Sequence, residues 1–111
     1  MRRFRERDMS EGEAVDGKFE ALSAPPGAIE KGGVEVLRAA IVEGGLHVAL
    51  QRAFEEPDAW GILLADVARH VGRIFAAEDG VSEDDVVARV RMLFEAELDR
   101  STDSGTTGAV M

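Results

Sequence analysis

Gly44 and Gly45 separate two runs that can each form a strand, residues 36–42 (Val-Leu-Arg-Ala-Ala-Ile-Val) and 46–51 (Leu-His-Val-Ala-Leu-Gln). A two-residue loop between antiparallel strands favours type I′ or II′ turns. These need positive φ, which glycine adopts without a Cβ clash. With these glycines as the loop, Val42 faces His47, Ile41 faces Val48, Ala40 faces Ala49, Ala39 faces Leu50 and Arg38 faces Gln51. Side chains alternate between the two faces of a strand. Leu37, Ala39, Ile41, Leu46, Val48 and Leu50 then form an apolar face. Val36, Arg38, Ala40, Val42, His47 and Ala49, with Gln51, form a mixed one.

A helix is expected after the hairpin. Pro57 stands near its first turn, where a missing N–H costs nothing, and Asp58 complements the positive end of the helix dipole. Trp60, Leu63, Leu64, Val67, Val71, Ile74 and Phe75 recur at helical spacing to about residue 78. Gly61, Ala65, Ala68, Gly72 and Ala76 make a second stripe of small residues, suited to an intramolecular packing face or a dimer seam. Asp79-Gly80 ends this helix, and Ser82 with Glu83, Asp84 and Asp85 opens the next. Val86, Val87, Val90, Leu93, Phe94 and Leu98 are its apolar positions.

The order strand, strand, helix, helix predicts an α+β fold of ββαα type. Residues 1–33 are expected to be mostly disordered, 34–100 to form the compact domain, and 101–111 to be a disordered tail rich in Ser, Thr and Gly. Phe19 and Leu22 are the N-terminal residues able to dock on the domain. Met9-Ser10-Glu11 also reads as a protein start, which leaves Met1 and Met9 as alternative first residues.

Two blocks resemble a known family. They are Glu35-Val36-Leu37-Arg38-Ala39 through Gly44-Gly45-Leu46-His47-Val48, and residues 58–71, from Asp58-Ala59-Trp60-Gly61 to Arg69-His70-Val71. They are similar to short proteobacterial proteins grouped as a domain of unknown function, over about residues 34–98. The resemblance implies a small bacterial protein and brings no catalytic residue with it.

Charge and composition narrow the function. The 13 basic and 22 acidic residues give a net charge of −9. Residues 34–100 hold 14 acids and 7 bases, so −7 of that falls on the expected domain. An acidic domain repels phosphate backbones, which argues against nucleic acid as a partner. No apolar run approaches the roughly 20 residues of a membrane span, and no apolar segment follows the early arginines as a signal peptide requires. A cytoplasmic location is expected. Without cysteine there is no disulfide, thiolate ligand or thiol nucleophile.

The remaining chemistry is thin. Asp66 and His70, four residues apart, can pair on one helix turn as an acid–base dyad or half a metal site, but no third group stands at fixed spacing. Glu78, Asp79, Glu83, Asp84 and Asp85 tempt a calcium reading. Their spacing does not match an EF-hand loop, and acids at a helix N-terminus need no metal. Trp60 is better placed as a core residue than as a partner's anchor. No catalytic residue, cofactor or metal ligand is expected.

The favoured function is a binding or accessory protein acting through protein–protein contacts. Its partner is itself, as a homodimer, or another protein. Strand edges could pair into a four-stranded sheet, or helices could pack across a two-fold axis. The candidate interface is the mixed hairpin face, Val36, Arg38, Ala40, Val42, His47 and Ala49. The alternatives are a small enzyme using His47 or His70 with neighbouring carboxylates, and a DNA-binding regulator built on the two helices, which the acidic charge disfavours.

Overall fold

The computed structural model describes residues 18–102 and 105–110. The elements run α1 (Ala28–Lys31), β1 (Leu37–Val42), β2 (Gly45–Gln51), α2 (Asp58–Asp79), α3 (Glu83–Asp99) and β3 (Thr106–Val110). This is the expected α+β hairpin and helix pair with a third strand added. The chain divides into two compact units, one containing the sheet and the other residues 53–104. The hairpin and the helices, grouped by the sequence reading in one domain over residues 34–100, thus fall in separate units. The choice between Met1 and Met9 lies outside the described residues, as do residues 1–17 of the expected N-terminal disorder; residues 18–33 of that segment are described and contain α1.

In the sheet unit, β1 and β2 pair antiparallel, with Leu37 opposite Leu50, Ala39 opposite Val48 and Ile41 opposite Leu46. The hairpin turns at Glu43-Gly44, one residue before the expected Gly44-Gly45. Both turn residues have positive φ, 52° and 84°, which is the type I′ pattern. A left-handed conformation costs a residue such as Glu43 about 1–2 kcal/mol. The pairing explains why that cost is borne. With Gly44-Gly45 as the loop, Glu43 would enter the apolar face opposite Leu46. Moving the turn takes this carboxylate out of the ladder and sets Leu37 against Leu50 and Ile41 against Leu46. Both registers match odd residues with even ones, so the two faces keep their membership.

The tail from Ser101 corrects the sequence reading. Instead of a disordered end it supplies β3, parallel to β2, with His47 beside Thr106, Val48 beside Thr107 and Leu50 beside Ala109. The strand order is β1-β2-β3. A short strand without an apolar period gains its order from backbone pairing to an edge that would otherwise stand open. Gly105 makes the approach possible. Its φ is +63°, and a Cβ there would lie 2.5 Å from the Leu46 carbonyl oxygen.

In the helical unit, α2 begins directly after Pro57, its N-cap residue, whose φ of −61° already has the helical value. It ends at Gly80 in the left-handed conformation, whose N–H donates to the Ala76 carbonyl at 3.0 Å. Ser82 caps α3, its hydroxyl accepting from the Asp85 N–H at 3.2 Å. The helices pack on each other where Gly72 is buried. A Cβ on Gly72 would sit 3.0 Å from Glu83 Cγ and 3.1 Å from both the Glu83 carbonyl oxygen and Val87 Cγ2. This contact gives the small-residue stripe, at Gly72, an intramolecular role. Arg73 and Glu83 add an ion pair between the helices, Nε to Oε2 at 3.8 Å. Near the start of α2, Trp60 is half-buried and meets Phe54 edge to face, with centroids 5.4 Å apart.

Candidate interface

The mixed sheet face is built from alternate positions of the ladder. Arg38 pairs with Ala49, Ala40 with His47 and Val42 with Gly45. β3 widens this face, placing Thr106 beside His47 and Gly108 beside Ala49. Its centre is therefore low, made of Ala40, Ala49 and Gly108, with Arg38 and His47 standing above it. Val36, Ala40 and His47 are half-buried, while Arg38, Val42 and Ala49 are exposed.

Arg38 is the most constrained residue here. Its Nη2 lies 3.0 Å from each carboxylate oxygen of Glu35, and its guanidinium stacks 5.5 Å from the centroid of the Phe19 ring. Phe19 thus meets Arg38 while staying 59% exposed, and Leu22 is 92% exposed. The backbone around Arg38 is fixed as well. Gln51 donates from Nε2 to the Glu35 carbonyl at 3.0 Å and from its N–H to the Val36 carbonyl at 3.1 Å. A shallow hollow of about 100 Å³ opens among Glu35, Val36, Arg38, Ala49 and Gln51. The arrangement presents one oriented cation above a small-residue floor.

The two histidines fall in different units. His47 belongs to the mixed face. His70 is exposed, and its bonded neighbour is Arg73, whose Nη1 lies 3.4 Å from Nδ1. The expected Asp66–His70 pair is not formed. Arg73 stands three residues on, along the same side of α2, and its fork bridges His70 and Glu83. Of the acids in residues 78–85, Glu83, Asp84 and Asp85 lie in the first turn of α3, where acids complement the helix dipole, and Glu83 also serves the Arg73 contact. Among the described residues, no three carboxylate or imidazole groups cluster as a metal site would need. An open groove of about 490 Å³ runs along α3 between Arg69, Asp84, Arg91 and Glu95. Its cations and carboxylates alternate, so it presents no basic strip. No described helix is long and apolar enough to cross a membrane.

Sequence reasoning missed the contribution of β3 to this face and the Glu35 clamp on Arg38. Thr106, Thr107 and Val110 are β-branched, the one local signal for a strand. The spacing of Glu35 and Arg38 carries no signal outside a helix.

No curated protein is significantly similar to the chain. Among solved structures, a chain described as a "putative pyruvate dehydrogenase" from the photosynthetic bacterium Rhodopseudomonas palustrus CGA009 is 42% identical. The match covers 85% of this chain and 98% of that one, with a TM-score of 0.65. The family described as Domain of unknown function (DUF5076) matches over residues 21–102. The chain belongs to that family.

Proposed function

We propose that this chain is a binding protein that works as a homodimer through protein–protein contacts, without a catalytic step of its own. One observation carries the reading. The chain is 45% hydrophobic, yet among its described residues no apolar side chain is buried. Folded domains of this size bury most of the surface their chains expose, with the large aliphatic and aromatic residues innermost. A second copy supplies the missing cover. The mixed sheet face of Val36, Arg38, Ala40, Val42, His47 and Ala49 is a separate surface, offered to a further protein partner, with Arg38 held ready by Glu35 and Phe19.

Equilibrium unfolding at protein concentrations from about 1 to about 100 µM tests the dimer. Mass action on an associating chain adds roughly 2.7 kcal/mol of apparent stability over two decades. A midpoint that climbs with concentration supports the reading, and a constant midpoint overturns it.

A second reading comes from the description attached to the 42% identical chain, which points to pyruvate oxidation. His47 and His70 are the acid–base groups this chain would bring to it. Pyruvate-dependent reduction of an added two-electron acceptor by the purified protein, lost in His47→Ala or in His70→Ala, would replace the binding reading with an enzymatic one.

A further inference from the structure

We infer that the dimer named above is held by its helices, with α2 and α3 of each copy closing into a four-helix bundle around a two-fold axis. The inference rests on the homodimer reading and assigns its surface. The geometry begins at Gly72. Consecutive residues of a helix are about 100° apart around its axis. Gly72 points at α3, so Val71 points about 100° away from it. Leu64, Val67, Ile74 and Phe75 cluster around the direction of Val71 and make the apolar stripe of α2. On α3, Val87 points at Gly72, and Val86 therefore lies about 100° to one side, in line with Val90 and Leu93.

Each helix thus has two faces to cover, roughly a right angle apart, and its partner in the pair covers one. A helix in a four-helix bundle packs against two neighbours in this way. A second helical pair brings the two neighbours that are lacking, and a two-fold axis brings it with the same surface.

The exposed area agrees with that occupant. Leu64, Val67, Ile74, Phe75 and Leu93 are 40–57% exposed. At about 100 Å² for each of these, with the half-buried valines between them, the stripe amounts to roughly 600–700 Å² per copy. That lies at or just above the ~300–600 Å² of the largest apolar patch on a typical monomer and nears the ~800 Å² per partner of a stable interface.

Sedimentation equilibrium of the full chain and two variants tests the assignment. Ile74→Glu puts a carboxylate into the helical seam, and Val42→Glu puts one on the sheet face. The expected result is a dimeric wild type, with at least a 100-fold weaker dissociation constant for Ile74→Glu and a smaller change for Val42→Glu. Should Ile74→Glu fail to fold, Ile74→Cys is read instead by thiol labelling, since the chain has no other cysteine. Its labelling should slow as concentration rises, while that of Ile62→Cys, on the side of α2 opposite Val71 and 67% exposed, should not. A wild type that is dimeric but insensitive to Ile74→Glu, or an Ile74→Cys thiol labelled equally fast at all concentrations, overturns the helical seam and leaves the homodimer standing. A monomeric wild type removes both.

Discussion

Gly72 and Val87 meet so closely that a methyl group on the glycine would come within 3.1 Å of the valine's Cγ2. This contact lets α3 lie against α2 at its first full turn, and it sets the direction in which the rest of each helix faces. Two glycines of α2 should therefore respond to alanine with opposite signs. Gly61 has nothing within 4 Å of its missing Cβ, so Gly61→Ala should gain up to about 1 kcal/mol from helix propensity. Gly72→Ala gains the same propensity but must push back the Glu83 carbonyl and Val87, which costs typically 1–3 kcal/mol. A net loss of about 1 kcal/mol is expected. Urea midpoints of the two variants check the pair, and an equal gain at both sites would contradict the close approach.

The turn makes an independent prediction. Glu43 holds φ of 52° beside Gly44, and Asn-Gly is the preferred type I′ sequence. Glu43→Asn should raise stability by up to about 1 kcal/mol, and Glu43→Val should lower it by at least as much, because a β-branched residue resists positive φ. Thermal unfolding of both variants against wild type reads the difference.

Docking of β3 depends on Gly105. Alanine there meets the Leu46 carbonyl oxygen at 2.5 Å and keeps an unfavourable φ of +63°. Gly105→Ala should detach the strand while leaving the β1–β2 ladder intact. Hydrogen exchange then shows lost protection along the edge of β2 that faces β3, with the helices unchanged. Unaltered protection there would contradict the pairing.

Ser82→Ala removes the acceptor for the Asp85 N–H and should cost about 1 kcal/mol, the usual value of an N-cap. Ser82→Asp should restore most of it. A urea midpoint for Ser82→Ala equal to that of wild type would show that the cap contributes nothing.

How far the sequence anticipated the structure depends on what kind of signal each part carries. The ends of α2 and α3 were legible because Pro57, Gly80 and Ser82 act locally. The two sheet faces were legible because alternation survives a shift of the turn from Gly44-Gly45 to Glu43-Gly44. The turn itself was not, since its choice rests on keeping Glu43 off the apolar face and on pairing Leu37 with Leu50, which are distant preferences. β3 was hidden because its order comes from the open edge of β2 and only weakly from its own residues. The place of Arg38 on the mixed face followed from alternation, but the Glu35 and Phe19 that hold it were invisible or faint. His70 meets Arg73 and not Asp66; both stand one turn away on α2, so spacing alone did not decide between them.

On the proposed reading, the chain completes its apolar core with a second copy of itself. Light scattering after size exclusion, on the full chain at tens of micromolar, measures this most directly. A mass twice the 12.0 kDa of one chain, falling toward 12.0 kDa on dilution or in Ile74→Glu, is the predicted result. A single species at the mass of one chain across the whole concentration range would contradict it.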